Sequence, residues 1–325
     1  MKTPPTPLVA IVGPTASGKS ALGVWLAERL GGEVVVCDST QLYRYFSIGT
    51  AKPTPDEQRG VAHHLVDLLE PHELFTAGEY RRRALETLED LRQRGRLPIL
   101  TVGTGLYLRA LLEGLAHAPT RSEELRARLA ERARRCGPDY LHRLLKRLDR
   151  EAAGRIALRD TPKLVRGIEV CLLAGKPITE VHRAGRLRLE GFAPLKVGLT
   201  PHRAELYRRI ERRVQTMLER VWLDELKALV ARSIPATAKP FEFIGYRELR
   251  AHLAGELSLP EAVAAIQQAT RRYAKRQITW FRKEPGVQWF EGFGGDPEVA
   301  EAVLRHLEGA LAAAPASRAH TGEGV

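Results

Sequence analysis

A glycine-rich octapeptide near the N-terminus constrains the fold of this chain more than any other feature of the sequence. It reads G-P-T-A-S-G-K-S over residues 13–20 and fits the phosphate-binding pattern G-x-x-x-x-G-K-[ST] at every position. An apolar, β-branched run at 8–12 precedes it, and leucines at helical spacing follow it over 21–30. In this order of strand, loop and helix, the pattern predicts a loop that cradles a polyphosphate.

Each part of this loop has a chemical task. Its glycines let successive backbone N–H groups converge on phosphate oxygens, and the start of the following helix adds partial positive charge. Lys19 is predicted to neutralise a terminal phosphate, and the Ser20 hydroxyl to ligate Mg²⁺. The motif leaves the identity of the polyphosphate open. The residues predicted to bind a diphosphate or nucleotide are Gly13, Pro14, Thr15, Ala16, Ser17, Gly18, Lys19 and Ser20.

The runs that follow predict an α/β fold. Residues 34–37 and 98–102 are apolar without polar alternation, which is typical of strands covered on both faces of a parallel sheet. A helical stretch at 76–95 lies between them, and another apolar run, 195–199, comes later. This order predicts a P-loop-containing, doubly wound parallel sheet with an all-helical insertion domain and a helical C-terminal part.

A change of composition suggests where the domains divide. Residues 121–150 carry ten Lys and Arg against five Asp and Glu, and Thr120 with Glu123 predicts a capping box at the start of this stretch. The predicted organisation is a first part of the core at 1–116, a helical basic insertion at 117–194, a second part of the core with C-terminal helices at 195–308, and a disordered tail at 309–325.

The charge balance favours an anionic partner. Fifty-one Lys and Arg against 39 Asp and Glu give a net charge of +12, which attracts nucleic acid or phosphate-rich ligands. Three scattered cysteines without C-x-x-C spacing argue against a disulfide framework and a zinc site, and predict a reducing, cytoplasmic location. The stretch 3–18 holds four prolines, so no signal peptide or membrane helix is expected there.

Asp38 follows the second predicted strand directly. In an open parallel sheet this position lies at the carboxyl edge, beside the phosphate loop. A strand-end aspartate is often only a turn or cap residue. Asp38, however, precedes side chains that can hydrogen-bond or stack against a nucleotide, namely Ser39, Thr40, Gln41, Tyr43 and Arg44. A carboxylate in that place can accept a proton from an attacking amine.

The third predicted strand ends at the same edge, in a second glycine turn. Gly103 and Gly105 allow a close approach of the backbone, and Thr104 offers a hydroxyl. Turns of the form Gly-x-Gly follow many strands, so this turn alone is weak evidence for a functional site. The convergence of three strand ends on one crevice is the stronger argument for a site.

Two basic segments add candidate ligand contacts. Residues 270–283 hold six basic residues, no acidic one and three aromatic rings, which suits phosphate contacts with base stacking. A solvated helix with its aromatic rings in the core explains this segment equally well. Arg209 and Arg213 lie at i and i+4 of a second helix, where they could clamp a leaving pyrophosphate or simply form part of the surface.

Seven motifs spread along the chain form a specific set. They are G-P-T-A-S-G-K-S at 13–20, D-S-T-Q-L-Y-R at 38–44, I-G-T-A-K-P at 48–53, G-T-G-L-Y at 103–107, K-L-V-R-G-I-E-V at 163–170, I-G-Y-R-E at 244–248 and K-R-Q-I-T-W-F-R at 275–282. In this order, from about residue 8 to residue 290, the chain resembles the tRNA dimethylallyltransferases, also called isopentenyl-diphosphate:tRNA (IPP) transferases.

The resemblance implies transfer of a dimethylallyl group from dimethylallyl diphosphate to N6 of the adenosine next to the anticodon, tRNA position 37, with release of pyrophosphate. In this family the P-loop holds the diphosphate of the prenyl donor, so no ATP need be hydrolysed. Carried over by motif, Asp38 is the base for the adenine N6, and Thr104 lies beside the reacting groups. Arg213 would steady the departing charge with Lys19 and Mg²⁺, and the family precedent is a monomer.

The resemblance also implies that the basic insertion binds tRNA. The residues expected to touch the RNA are Asp38, Ser39, Thr40, Gln41, Thr104, Arg126, Lys163, Leu164, Val165, Arg166, Gly167, Phe243, Ile244, Gly245, Tyr246, Arg247, Glu248, Lys275, Arg276, Gln277, Ile278, Thr279, Trp280, Phe281 and Arg282. Three positions depart from the family pattern. Val102 stands where a first glycine is usual, Ser47 where an aspartate is usual, and Phe243 where a small residue is common.

Two other functions fit part of the same pattern. A P-loop kinase for a small metabolite or nucleotide would share the phosphate loop and Asp38, with the basic insertion as its lid. Such a kinase has no need of the basic aromatic segment at 270–283. A non-catalytic RNA-binding ATPase switch would share that segment, but its function would largely survive the loss of Asp38.

Overall fold

The computed structural model describes residues 4–137, 139–183, 185, 187–232 and 234–313. The chain forms two compact units, one of Met1–Leu112 with Glu190–Val325 and the other of Glu113–Leu189. The second unit therefore ends before residue 194, where the sequence predicted the end of the insertion. The reason is that 194 falls inside a strand of the first unit, Phe192–Thr200.

The first unit is built on one parallel sheet. Its strands are β1 (Thr6–Val12), β2 (Gly32–Cys37), β3 (His63–His64), β4 (Leu97–Val102), β5 (Phe192–Thr200) and β6 (Val287–Glu291). They lie in the order β3-β2-β4-β1-β5-β6, and every pairing between neighbours is parallel. The predicted P-loop α/β sheet is confirmed, whereas β3 and β6 were not predicted.

Helices cover the sheet. Those of the first unit are α1 (Lys19–Leu30), α2 (Pro55–Gln58), α3 (Ala77–Gln93), α4 (Gly105–Glu113, whose last residue belongs to the second unit), α10 (Arg203–Glu219), α11 (Trp222–Ala231), α12 (Tyr246–Leu253), α13 (Leu259–Phe281) and α14 (Pro297–Ala313). Among the helices of the described residues, none has the length and apolar character needed to cross a bilayer.

The core of this unit lies where the apolar runs predicted it. The side chains of Val9, Ile11, Val34 and Ile99 pack with those of α1 and α14 in one buried cluster. Because both faces of β2 are buried, its sequence lacks polar alternation. Helix α14 extends to Ala313, so the first five residues of the predicted tail are helical. The rest of that tail, 314–325, lies outside the described residues.

The second unit is helical, as the composition suggests. Its helices are α5 (Glu123–Cys136), α6 (Tyr140–Leu148), α7 (Arg150–Arg155), α8 (Thr161–Ala174) and α9 (Ile178–Arg183). They enclose a separate core that includes Leu129, Leu145 and Ile168. The predicted capping box is wrong, because the N-cap of α5 is Ser122, whose hydroxyl accepts a hydrogen bond from the Leu125 N–H.

A buried carboxylate organises this helical unit. Glu169 has a fully buried side chain that accepts hydrogen bonds from Arg126 at 2.9 Å, from Arg166 at 2.7 Å and from the Ser122 N–H at 2.9 Å. Burial raises the pKa of this carboxyl, but the three donors outweigh burial and lower the pKa to about 2. Arg126, which was expected to touch tRNA, is thus held by an internal partner.

Replacement of Glu169 by glutamine is expected to lower the free energy of unfolding by about 3 kcal/mol at pH 7, the equivalent of a pKa depressed from 4.5 to about 2. Because the folded-state pKa lies below the unfolded one, the carboxylate contributes fully above pH 4.5, and its contribution disappears as the pH falls toward 2. Denaturant titrations at pH 7 and pH 3 measure the free energy of unfolding. The difference in this free energy between variant and wild type should be smaller at pH 3 than at pH 7.

The control is Glu180→Gln, which removes an exposed carboxylate paired loosely with Lys176 at 3.9 Å. It should change the free energy of unfolding by less than about 0.5 kcal/mol at either pH, because exposed pairs contribute little. An equal loss of stability for Glu169→Gln at both pH values would contradict the prediction.

Candidate active site at the carboxyl edge of the sheet

The phosphate loop connects the end of β1 to the start of α1. Its residues Gly13, Ala16 and Gly18 have φ angles of 149°, 63° and 88°, in the region that favours glycine. A Cβ on Gly18 would lie 2.9 Å from the backbone nitrogen of Gly294, so this glycine is also required by close packing. The loop thus has the sharp turns that let several backbone N–H groups face one anion.

A second loop supports the phosphate loop from the end of β6. The Gly294 N–H donates to the Ser17 carbonyl oxygen at 2.9 Å, and Asp296 closes this turn by accepting from the Phe293 N–H at 3.0 Å. Sequence reasoning missed this contact. The available signal was the cluster of glycines at 292, 294 and 295, which follows a strand whose existence was not predicted.

Three charged side chains share the crevice beside this loop. Lys19 donates to the Pro14 carbonyl oxygen at 2.7 Å. Burial lowers the pKa of Lys19 to about 7, with Arg213 acting in the same direction and Asp38 opposing them. Burial also lowers the pKa of Arg213, and the charges of Glu57 and Asp38 oppose that shift. Two desolvated cations beside a phosphate loop form a site prepared for an anion.

The Asp38 carboxylate lies at the end of β2 and is held from two sides. Its Oδ1 accepts from the Thr40 N–H at 2.8 Å and from the Thr40 hydroxyl at 2.7 Å. Its Oδ2 lies against Gly103, where an added Cβ would be only 1.8 Å away. Asp38 is therefore fixed in orientation, and the glycine that follows β4 is required so that the carboxylate can occupy this place.

Thr104 connects the ends of β2 and β4. Its Oγ1 accepts from the Ser39 N–H at 2.9 Å and donates to Ser39 Oγ at 3.1 Å. The N–H groups of Gly103 and Thr104 both donate to the Cys37 carbonyl oxygen at 3.0 Å. The crevice expected from sequence thus exists for these two strand ends, and Thr104 and Asp38 lie on adjacent loops.

The thiol of Cys37, the residue before Asp38, is fully buried. It donates to the Thr104 carbonyl oxygen at 3.9 Å. Burial raises the pKa of Cys37 to about 12; Tyr80 opposes this shift and the charge of Asp38 adds to it. The thiol is therefore neutral at any physiological pH.

Helix α13 separates its basic and its apolar residues onto different sides. Lys275, Arg276, Thr279 and Arg282 are exposed, whereas Phe281 is fully buried and its predicted RNA contact is corrected to a core contact. The Trp280 indole packs so closely on Gly105 that a Cβ there would lie 2.1 Å from Nε1. The buried side of this helix agrees with the interpretation as a solvated helix with its rings in the core, and contact of the exposed side with RNA stays a prediction.

Other residues predicted to touch RNA make internal contacts. Leu164 and Tyr246 are buried, so their side chains belong to the core. Gln41 donates to the carbonyl oxygens of Thr50 and Ala51 at 3.1 and 3.2 Å. Four further residues are also occupied within the protein: Gly167, Gly245 and Glu248 are buried, and Arg166 binds Glu169. Lys163 and Arg247 are exposed.

The motif at 48–53 packs against the motif at 244–248. Glu225 accepts from the Tyr246 hydroxyl at 2.6 Å and from the Ser47 N–H at 3.0 Å, so the departure at position 47 leaves the backbone of that loop anchored. Phe243, the second departure, packs edge-on against Tyr43 at 5.6 Å between ring centroids. Val102, the third, is fully buried at the end of β4.

A metal ion would have few protein ligands here. Within the described residues, no group of three or more His, Cys, Asp or Glu side chains could hold one. Ser20 is exposed in the first turn of α1, next to Lys19. A single hydroxyl suits a hard divalent cation that keeps several waters and binds mainly through substrate phosphates.

Comparison with known proteins decides the family. A model of the IPP transferase family matches residues 41–284. The chain belongs to the IPP transferase family. The matched part begins after the phosphate loop and Asp38, and it contains the motifs at 48–53, 103–107, 163–170, 244–248 and 275–282.

Curated relatives extend this match over nearly the whole chain. The tRNA dimethylallyltransferase of Solibacter usitatus (strain Ellin6076) is 51% identical over 299 residues, which are 92% of this chain and 97% of that protein. The tRNA dimethylallyltransferase of Koribacter versatilis (strain Ellin345) is 53% identical over 301 residues, 93% of this chain and 98% of that protein. The resemblance stated from the motifs is confirmed.

Solved structures agree in fold. The full-length tRNA isopentenylpyrophosphate transferase of Bacillus halodurans superposes with a TM-score of 0.70 at 37% identity and covers 94% of this chain and 96% of its own. A eukaryotic dimethylallyltransferase acting on tRNA has a TM-score of 0.81 at 23% identity, which is a likeness of fold alone. This IPP transferase therefore shares its architecture with both.

Proposed function

We propose that this protein transfers the dimethylallyl group from dimethylallyl diphosphate to N6 of the adenosine 3′ to the anticodon, tRNA position 37, and releases pyrophosphate. The observation that carries the proposal is the placement of the Asp38 carboxylate, held by Thr40, beside a phosphate loop that holds Lys19, with Arg213 near enough to act on the pKa of Lys19. The two cations can stabilise an anionic leaving group, and the carboxylate can accept a proton. The chain also belongs to the IPP transferase family.

The reaction then follows from the residues. The C1–O bond of the donor breaks, and its electron pair leaves with pyrophosphate, whose charge the loop amides, Lys19 and Arg213 stabilise. The adenine N6 forms the new bond to C1 and loses a proton to Asp38. Thr40 orients the carboxylate by two hydrogen bonds, and Thr104 lies on the neighbouring loop.

Mg²⁺ is the divalent ion proposed for this site, with the Ser20 hydroxyl as its protein ligand and the donor diphosphate as its main ligand. When bound, it would neutralise charge on the diphosphate as that group departs. The exposed position of Ser20 at the start of α1 supports the assignment.

The RNA surface proposed here is the exposed side of α13. Arg272, Lys275, Arg276 and Thr279 lie on it, and Arg282 follows as the C-cap of the helix. A strip of cations suits phosphate contacts that position an RNA without reading its bases. The target adenosine must leave its stack to reach the crevice, which costs least in a loop.

The kinase alternative draws no support from the relatives, which are named tRNA dimethylallyltransferase or tRNA isopentenylpyrophosphate transferase. Loss of Asp38 distinguishes the ATPase-switch alternative from prenyl transfer, because a switch would largely keep its function and a transferase would lose its rate. The cytoplasmic location and the monomeric state expected from the sequence stay predictions.

The deciding experiment incubates the protein with labelled dimethylallyl diphosphate, Mg²⁺ and unmodified tRNA, followed by nucleoside analysis. Prenylated adenosine is expected, and a tRNA with guanosine at position 37 is the matched control and should remain unlabelled. Release of ADP from ATP with no label in RNA would favour a kinase or ATPase. No labelled nucleoside under any condition would overturn the proposal.

Substitution of Lys275 and Arg276 by glutamine is expected to weaken tRNA binding about tenfold at low salt. Removing two phosphate contacts should also reduce the slope of log affinity against log salt by about 1 to 2. Filter binding across a salt series measures both. Arg305→Gln, at an exposed position of α14, is the control and should leave the slope unchanged. An unchanged slope for the double variant would mean that RNA binds to a surface other than the exposed side of α13.

A further inference from the structure

Gln277 has a buried amide side chain in α13, a helix whose exposed side carries several cations. Its side chain points inward from α13, and the residue is 6% exposed. Its Oε1 accepts from the Thr15 N–H at 2.7 Å, and its Nε2 donates to the Gly103 carbonyl oxygen at 2.8 Å. One side chain thus binds the phosphate loop at one end and the loop after β4 at the other.

The second of these partners limits the position of the proposed base. Gly103 lies against Oδ2 of Asp38, and its N–H is bound to the Cys37 carbonyl oxygen. A shift of Gly103 would therefore move the surface on which the carboxylate rests. The Tyr273 hydroxyl, one turn earlier on α13, donates to the same Gly103 oxygen at 3.1 Å.

The chemistry of this bridge requires a neutral amide. Thr15 presents a donor and Gly103 an acceptor, so the side chain between them must accept at one end and donate at the other. A carboxylate would put a negative charge against the Gly103 oxygen, and an ammonium would have no acceptor for Thr15. A methionine of similar length would leave the Thr15 N–H without its partner and the Gly103 oxygen with only the Tyr273 hydroxyl.

We propose that Gln277 is a positioning residue that fixes the distance between the phosphate loop and the Asp38 carboxylate, and so between the donor C1 and the acceptor N6. This inference rests on the proposed function and deepens it. Because Lys275 and Arg276 lie on the exposed side of the same turn, RNA that binds there bears on the helix that sets this distance. Both polar atoms of the Gln277 amide are bound to protein backbone, so the proposal replaces the expected RNA contact of this residue with an internal one.

The test compares Gln277→Met with Gln268→Met, an exposed glutamine of the same helix outside the site. Single-turnover transfer at saturating tRNA and dimethylallyl diphosphate should fall about 10- to 100-fold for Gln277→Met, because a misplacement of about 1 Å costs up to about 100-fold. The dissociation constants for tRNA and for inorganic pyrophosphate should stay within about threefold of wild type. Gln268→Met should match wild type in all three measurements.

A second variant adds a readout that a merely structural residue would not move. Gln277→Glu keeps the acceptor for Thr15 but loses the donor to Gly103 until the carboxyl is protonated, which burial favours. Its rate relative to wild type should therefore rise as the pH is lowered from 8 to 6. Taking the ratio at each pH removes the titrations of Lys19 and Tyr273, and of every other group that both proteins share.

Three outcomes would overturn the proposal. They are a loss of rate below about threefold, an equal loss of rate and of pyrophosphate affinity, or a failure of Gln277→Met to fold while Gln268→Met folds. The last would assign Gln277 to the stability of the fold. If wild type itself forms no prenylated adenosine, the proposed function fails, and that result is independent of any comparison among the variants.

Discussion

Replacement of Asp38 by asparagine is expected to lower the rate of prenyl transfer by about 10³-fold, while the affinity for tRNA stays within about threefold. Asparagine has the same shape and can still accept the hydrogen bonds from Thr40, but it cannot take the proton of the adenine N6. General base catalysis is worth about 10² to 10⁴ in rate, so this loss should exceed that of every other substitution proposed above. Rapid-quench turnover and equilibrium filter binding measure the two quantities.

The matched control is Asp56→Asn, which changes an exposed carboxylate in the first turn of α2. It should leave the rate within about twofold of wild type. Equal losses of rate and tRNA affinity in Asp38→Asn would argue against a base and for a residue that only holds RNA. Full transfer activity in Asp38→Ala would show that Asp38 is not the base, whereas retained RNA binding with no transfer in wild type would favour the non-catalytic switch.

Substitution of Gly103 by alanine is the second change with a large expected effect, a loss of about 10²-fold in transfer rate. The new Cβ would lie 1.8 Å from Asp38 Oδ2, so the carboxylate must turn away from its present place. The backbone of Gly103 has no positive φ angle, so the substitution brings steric displacement without backbone strain. Since a short side chain can give way, the loss of stability should be small beside the loss of rate.

Two further variants separate displacement of the carboxylate from general damage. In Gly103→Ala combined with Asp38→Asn, the rate should equal that of Asp38→Asn alone, because both changes act through one carboxylate. Gly309→Ala, at a glycine of α14 where an added Cβ would have no neighbour within 4 Å, should leave the rate unchanged and stabilise the helix slightly. Additive losses in the double variant would show that Gly103 acts by another route.

The parts of this site that could be predicted from sequence are those that depend on residues close together in the chain. The phosphate loop depends on the spacing of its own glycines, and Asp38 and Thr104 each follow an apolar strand directly. Because parallel strands bring their carboxyl ends to one edge, these local facts were enough to place both residues near the loop. The resemblance supplied the roles that local patterns leave open, notably that of Arg213.

The parts that sequence could not predict depend on contacts across long separations. Gln277 stands among six basic residues, and nothing in that run distinguishes an inward amide from an outward one until the helix is packed. Phe281 was expected on the RNA for the same reason, although it is buried. To predict the contact of Gly294 with Ser17, one would have to know that β6 is a strand and that it pairs with β5.

The buried thiol of Cys37, the residue before the proposed base, has a chemical consequence. An allylic diphosphate is an alkylating agent, and a thiolate beside it would compete with the adenine for C1. With its pKa raised to about 12, Cys37 remains a thiol and is a poor nucleophile. If the proposed function holds, the protein can thus carry a sulfur atom in the residue next to Asp38 and still be protected from being prenylated by the allylic donor.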